Sequence, residues 1–178
     1  YRYILFLLVF FSPNFVIAQP SQAAEDVREL MESRDLQIKQ LLGAEGSEYS
    51  SKQRDELKDI VNGIIDFTEM AKTALEVTYD TISVEDRTEF VQLFSSIIRD
   101  QSLANLDIYR ASVSYERIDG TTDSMYIETL AEWDNIRTPV HYIMSKNSGE
   151  WRIEDTSIDD VFTAESYHRQ FQRIIRSR

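Results

Sequence analysis

Few side chains in this sequence have the types and spacing that catalysis or ion binding requires. Its two histidines are His141, in an alternating segment, and His168, which stands between Tyr167 and Arg169 near the predicted start of the last helix. Backbone amides at a helix start, together with a cation, favour a phosphate group, but these residues equally fit a charged surface. No Ser or Cys nucleophile pattern surrounds His141, and the sequence contains no G-x-S-x-G, H-E-x-x-H or glycine-rich phosphate loop. The polar residues therefore indicate no catalytic residues, no metal site and no cofactor.

The apolar residues give a stronger signal, which is clearest in the last third of the chain. Residues 139–158 alternate in polarity around a turn at 147–149, and this pattern predicts a β-hairpin. After a short polar link the apolar spacing becomes helical, with Thr163 placed to cap the helix start. A ribbon followed by an amphipathic helix presents two apolar surfaces, and each needs a partner to cover it.

A second hairpin and several helices precede this segment. Residues 113–133 alternate around Asp119-Gly120, a strong turn signal. Apolar residues recur at helical spacing in four earlier segments, which begin near residues 24, 51, 67 and 84. Ser50, Asp66 and Ser83 are placed to cap the last three of these helices. The fourth helix is predicted to continue, with a kink, through Tyr109.

The order of these elements, helices followed by strands and then a helix, predicts an α+β fold. The economical arrangement is a curved antiparallel four-stranded sheet with helices packed on one side, enclosing an apolar cavity where the layers do not interdigitate.

Charge and the first residues restrict the class of protein further. A formal net charge of −12 opposes binding to nucleic acid, and the chain contains no cysteine for disulfides or thiolate chemistry. Arg2, followed by an apolar run at residues 4–11 and by Val16-Ile17-Ala18, predicts a signal peptide over residues 1–18 that is cleaved after Ala18. Residues 19–178 are then expected to form a single exported domain.

Several segments resemble one known family. They are the runs 66–75 (DFTEMAKTAL), 87–94 (RTEFVQLF), 151–155 (WRIED), 158–161 (IDDV) and 167–171 (YHRQF). In this order, within residues 25–176, they are similar to the periplasmic phospholipid carriers of the Mla pathway, also called the toluene-tolerance (Ttg2-type) family. The family pattern usually has glycine where this chain has Glu76 and Asp160, and arginine where it has His168.

This resemblance implies a periplasmic phospholipid-binding protein that is not an enzyme and has no cofactor. Such a carrier moves lipid between an outer-membrane lipoprotein complex and an inner-membrane ABC transporter complex. In this way it maintains outer-membrane lipid asymmetry. The protein is expected to be a monomer. The acyl chains would lie in a cavity lined by apolar residues, each of which taken singly is more simply explained as core. The candidate lipid-binding residues are Ile64, Phe67, Met70, Leu75, Phe90, Phe94, Ile97, Ile98, Val113, Tyr115, Met125, Ile127, Val140, Tyr142, Met144, Trp151, Ile153 and Tyr167.

Two other classes of protein remain open from the sequence. One is a small NTF2-like, cone-shaped enzyme in which His141 and Asp155 act as acid and base. The other is an exported adaptor that binds a partner protein through the same apolar surfaces and has no ligand cavity.

Overall fold

The computed structural model describes residues 21–104 and 106–177, so the predicted signal peptide at 1–18 lies outside the described residues. The helices are α1 (Gln22–Leu42), α2 (Ser51–Asn62), α3 (Phe67–Leu75), α4 (Val77–Thr81), α5 (Val84–Ser102), a 3₁₀ helix (Leu106–Arg110) and α6 (Thr163–Arg176). The strands are β1 (Ser112–Gly120), β2 (Ser124–Trp133), β3 (Ile136–Asn147), β4 (Glu150–Ile158) and β5 (Val161–Phe162). No helix in these described ranges is long and apolar enough to cross a membrane.

Three helices begin at the residues that the capping patterns predict. Ser50 and Gln53 form a reciprocal capping box at α2, and the Ser83 hydroxyl accepts a hydrogen bond from the Asp86 amide at α5. The Asp66 carboxylate accepts from two amides in the first turn of α3. The predicted continuation of α5 to Tyr109 is wrong, because α5 ends at Ser102 and a separate 3₁₀ helix follows.

The sheet is an antiparallel meander in the order β1-β2-β3-β4-β5. It has five strands, not the predicted four. The additional strand arises because Asp159 and Asp160 adopt positive φ in a tight turn and return Val161 and Phe162 alongside β4. A strand of two residues is too short for alternation to reveal it in the sequence. The α+β class, the curved antiparallel sheet and the helical layer are confirmed.

The free edge of β4 is protected at both of its ends. β5 pairs with Ser157 and Ile158, and the segment before α3 pairs with Ile153 in a parallel bridge. In this bridge the Asp66 amide donates to the Ile153 carbonyl at 2.8 Å, and the Ile153 amide donates to the Ile64 carbonyl at 2.9 Å. Covering an edge in this way prevents pairing with another chain, and here it also fixes the start of α3 against the sheet.

The start of α6 is capped from the sheet. The predicted cap by Thr163 is wrong, because Thr163 is already the first helical residue and its hydroxyl donates to the Thr156 carbonyl at 2.9 Å. The amide of Ala164 donates instead to Oδ1 of Asp155 at 3.0 Å, and the Thr156 amide donates to the same oxygen at 2.8 Å. One buried carboxylate in β4 therefore holds the first turn of α6.

The connection between α3 and α4 contains a strained residue. Glu76 has φ 48° and ψ −128°, a region that is favourable mainly for glycine. Asp160, the other residue that stands where the family pattern has glycine, also has positive φ (61°). The backbone geometry at both positions is thus the one that glycine adopts most easily. Glu76 also lies 3.6 Å (Oε2 to Nε2) from His168, the third position that departs from the family pattern.

We predict that Asp155→Ala lowers the free energy of unfolding by about 2–4 kcal/mol, because it leaves buried amide donors without an acceptor. Asp155→Asn retains an acceptor oxygen and should cost less than half as much. Urea denaturation of both variants measures the difference. Glu165→Ala, at an exposed site in the same helical turn, is the control and should cost under about 1 kcal/mol. Equal losses in the alanine and asparagine variants would contradict the capping role.

A second substitution tests the backbone strain. Glu76→Gly should raise the free energy of unfolding by about 1 kcal/mol, since relief of the unfavourable φ and ψ outweighs the loss of the contact between Glu76 and His168. Glu69→Gly, within helix α3, is the opposite case and should destabilise by about 1 kcal/mol. A destabilised Glu76→Gly variant would show that the contact with His168 matters more than the backbone conformation.

Candidate functional site

Buried apolar residues of the described chain form three clusters. The third (Ile38, Leu42 and Leu57) contains none of the predicted site residues, and the first lies on the sheet. This sheet cluster combines two helical residues, Ala24 and Val27 of α1, with side chains from the predicted set. The sheet-cluster residues from that set are Ile64, Met125, Ile127, Met144, Trp151 and Ile153, with Tyr115 and Tyr142 partly buried at its margin. Met125 and Met144 are directly opposite each other on β2 and β3, and both are fully buried. These two methionines form the centre of the sheet cluster.

The second cluster lies among α3, α5 and α6. This helical cluster includes the predicted residues Phe67, Met70, Leu75, Phe94 and Ile98, with Phe90 and Tyr167 packed against it.

Aromatic rings join α5 to α6 within the helical cluster. The rings of Phe94 and Tyr167 meet edge to face at 5.1 Å between centroids, and those of Phe90 and Phe171 do so at 5.4 Å. Such geometries add to the stabilisation that burial itself provides. Because ring contacts of this kind hold α5 and α6 together, the pair forms a defined wall beside the sheet.

Most of the predicted site residues fall in these two clusters, but three do not. Ile97 is 44% exposed on α5, whereas its neighbours Phe94 and Ile98 are buried. Val113 and Val140 are half-buried on the sheet and belong to neither cluster. The two clusters meet at Ile65, which packs against both. The interior is therefore continuous from the sheet to the aromatic residues of α5 and α6.

Helix α1 supplies a wall that the sequence reasoning missed. Its buried residues Ala24 and Val27, and the partly buried Leu30 and Met31, pack on the sheet cluster. Their helical spacing was visible in the sequence, but spacing identifies a buried face without identifying the surface that it meets.

The side chains that make up the two clusters are all uncharged. Burial raises the pKa of Tyr142 to about 12, and it also raises the pKa of Tyr115, so both phenols are neutral at physiological pH. All four methionines of the sequence, Met31, Met70, Met125 and Met144, belong to the two clusters or pack against them. Methionine is flexible and polarisable, which lets it accommodate partners of irregular shape.

The polar residues of the enzyme hypothesis have separate contacts. His141 Nδ1 lies 3.0 Å from the Tyr126 hydroxyl and 3.7 Å from Oδ1 of Asp160. Asp155 is engaged by backbone amides at the start of α6. Burial raises the pKa of the Asp155 carboxyl, and the amide donors oppose this effect. The structure thus gives Asp155 a capping role. Within the described ranges, no group of three His, Cys, Asp or Glu side chains could hold a metal ion.

The three residues considered for a phosphate group diverge in the structure. Tyr167 belongs to the aromatic contacts of the helical cluster, and His168 Nδ1 lies 3.2 Å from the Ala74 carbonyl oxygen. Arg169 is exposed and pairs with Glu165 one turn earlier. An open cleft of about 610 Å³ follows the outer side of α6 and is lined by His168, Arg169, Gln172, Arg173, Arg176 and Ser177. This basic cleft is distinct from the two apolar clusters.

The fold places an apolar interior between a curved sheet and helices. Comparison with known proteins identifies the family and a solved structure of similar fold. The sequence model described as MlaC protein matches residues 35–178. The chain belongs to the MlaC family. No curated protein matches the chain.

The chain also resembles solved structures. One is the phospholipid-binding protein from Ralstonia solanacearum in complex with a phospholipid, with a TM-score of 0.71 and 17% sequence identity. That match covers 88% of this chain and 89% of the other, and it shows a shared fold. Another match is a putative NTF2-like transpeptidase from Campylobacter jejuni, with a TM-score of 0.31 and 15% identity over 58% of this chain and 97% of that chain.

The raised pKa of Asp155 leads to a pH-dependent prediction. Its folded pKa lies above its unfolded value of about 3.9, so the folded state binds the proton more tightly than the unfolded state. This proton-linked contribution to stability is fully present below the unfolded pKa and is lost as pH rises through the folded pKa. Relative to Asp155→Asn, the natural protein should therefore become less stable across that interval.

Denaturation of both proteins over a pH series measures this difference, and the other acidic groups cancel in the comparison. A difference that stays constant with pH, or that grows in the opposite direction, would show that the amide donors outweigh the effect of burial.

Proposed function

We propose that this protein is a phospholipid carrier. The acyl chains of the bound lipid would lie between the sheet cluster and the helical cluster. The observation that carries the proposal is membership of the MlaC family, joined to the likeness in fold to a protein solved with a bound phospholipid. Two clusters of uncharged side chains, joined through Ile65 and containing Met70, Met125 and Met144, support it. In this arrangement the predicted lipid-binding residues that belong to the two clusters contact hydrocarbon when lipid is bound and pack against one another when it is absent.

The energetics of lipid transfer explain why such an interior is needed. A two-tailed lipid has on the order of 30 methylene groups, and burial of each is worth ~0.8 kcal/mol, so escape into water costs roughly 20 kcal/mol. A carrier has to replace nearly all of the apolar environment of the bilayer. Neutral tyrosines and large aliphatic and aromatic side chains provide such an environment without charge.

One buried polar atom suggests how a lipid could be oriented. Trp151 is only 7% exposed, and its Nε1 is a buried donor with no hydrogen-bond partner within the described residues. Buried donors are usually satisfied. An ester carbonyl of the lipid glycerol is an acceptor that could meet this indole at the polar end of the acyl chains.

Membership of the family supports a wider role for the proposed carrier. We place the mature domain, residues 19–178, in the periplasm after cleavage of residues 1–18, where it exchanges lipid with an outer-membrane lipoprotein complex and an inner-membrane ABC transporter complex. In this role the protein is a monomer that binds lipid without chemical turnover and contributes to outer-membrane lipid asymmetry.

Native mass spectrometry with lipid analysis of the purified protein is the direct test. Phospholipid bound at a fixed stoichiometry is expected, and the lipid masses report how many chains the interior holds. A folded protein that arrives without lipid, and that takes none from vesicles, would refute the proposal. Stable binding of a partner protein by such a lipid-free sample would favour the adaptor, whereas a turnover that depends on His141 would favour the enzyme.

Substitutions at Met144 can distinguish a residue that only packs in the core from one that also contacts lipid. We predict that Met144→Phe, which fills the interior, lowers lipid occupancy several-fold at a stability cost of about 1–3 kcal/mol. Met144→Ala, which enlarges the interior, should retain lipid although it costs about 2–5 kcal/mol without lipid. Because bound lipid stabilises only the folded state, added lipid should recover more stability in the alanine variant than in the phenylalanine variant.

The measurements are lipid occupancy by native mass spectrometry and melting curves with and without added lipid. Met70→Leu, a volume-conserving change in the helical cluster, is the matched control. Equal lipid occupancy in all three variants would show that Met144 is a core residue that lipid does not contact.

A further inference from the structure

Charge is strongly segregated at the end of the chain. The sequence contains 31 acidic residues, but none of them follows Glu165. The residues after it include four arginines, Arg169, Arg173, Arg176 and Arg178. Residues 166–178 are therefore a basic segment in an otherwise acidic sequence, and α6 carries most of it.

The structure places three of these arginines on one side of α6. Arg169, Arg173 and Arg176 line the open cleft of about 610 Å³ together with His168. Arg169 is partly neutralised by Glu165. Within the described residues, neither Arg173 nor Arg176 has an ion pair, so the positive charge is concentrated in the last two turns.

Two exposed isoleucines accompany this charge. Ile174 is 55% exposed and Ile175 is 43% exposed, although Phe171, one turn earlier, packs in the helical cluster. Arginine in a last turn also stabilises the helix by opposing its dipole. That effect does not account for the two exposed isoleucines, which helical spacing places on the face of Phe171, away from the cleft that the arginines line. A helix end that combines basic and apolar side chains matches the chemistry of an anionic lipid surface, where cations meet phosphates and apolar side chains enter the interface.

We propose that the C-terminal half of α6, defined by Arg173, Ile174, Ile175 and Arg176, docks the protein on an anionic phospholipid surface. The arginines contact headgroup phosphates, and the isoleucines insert at the boundary of the acyl chains. The docking surface lies outside the proposed lipid-binding interior, and its occupation does not require a lipid inside the protein.

The acidic net charge does not prevent this contact. At physiological ionic strength charges are screened over about 8 Å. When the end of α6 touches a bilayer, the electrostatic interaction is therefore mainly with the nearby arginines. In other orientations the acidic surface of the protein is repelled by the bilayer. Charge segregation thus selects one orientation, with the end of α6 toward the membrane.

Vesicle flotation tests this surface with Arg173→Glu/Arg176→Glu. The probes are vesicles that contain phosphatidylglycerol and vesicles of phosphatidylcholine alone. The matched control is Lys52→Glu/Arg137→Glu, which changes net charge equally at side chains that are 85% and 65% exposed on α2 and β3. All proteins have the same amino terminus, so any binding by residues 1–18 is common to them.

The natural protein should prefer the anionic vesicles and lose this preference at high salt. The Arg173→Glu/Arg176→Glu variant should bind them at least about tenfold more weakly, and the control should bind as the natural protein does. Arg173→Gln/Arg176→Gln, which is milder for the helix end, should give a smaller loss in the same direction. Urea denaturation verifies that each variant is folded.

Equal binding by the natural protein and both α6 variants would overturn the proposal, as would an equal loss in the control or no preference for anionic vesicles. Native mass spectrometry of the same samples keeps this result separate from the proposed carrier function. Loss of vesicle docking with retained bound lipid is the expected outcome. A protein that holds no lipid but still docks through α6 would refute only the carrier function.

Discussion

The position of the terminal helix depends on one buried carboxylate. Oδ1 of Asp155 accepts hydrogen bonds from Thr156 in the strand and from Ala164 in the first turn of α6. Burial of an acid is costly, as the raised pKa shows, but the amide donors offset part of that cost. This contact orients α6 so that Tyr167 and Phe171 meet the rings of α5. The aromatic wall of the interior therefore rests on a polar contact with the sheet.

The residues that form the core are also the proposed wall of the lipid site. The sheet cluster and the helical cluster are each well packed, and they are joined through Ile65. Met125 and Met144 face each other on adjacent strands at the centre of the sheet cluster. Flexible thioether side chains can pack together without a ligand and rearrange around hydrocarbon with little strain. Such an interior meets both demands on the proposed carrier, which are stability without lipid and affinity for acyl chains.

The distribution of charge complements this interior. The acidic body keeps the protein soluble and disfavours random contact with anionic membranes. The basic end of α6 provides the opposite charge in the same helical turns as the exposed Ile174 and Ile175. Helix α6 contributes to both proposed sites. Tyr167 packs against the helical cluster, whereas Arg173 and Arg176 are exposed to solvent.

The sequence by itself determined the features that depend on neighbouring residues. Helix starts at Ser50 and Asp66, the hairpin turns and most of the apolar positions follow from local hydrogen bonding and from periodicity. Only the tertiary structure decided which surfaces meet. Periodicity identifies residues that share a face but not what covers that face, so the packing of α1 on the sheet and the exposure of Ile97 were not predictable. The cap of α6 was missed for the same reason, since its acceptor, Asp155, lies in a strand and reaches the helix only because the chain folds back.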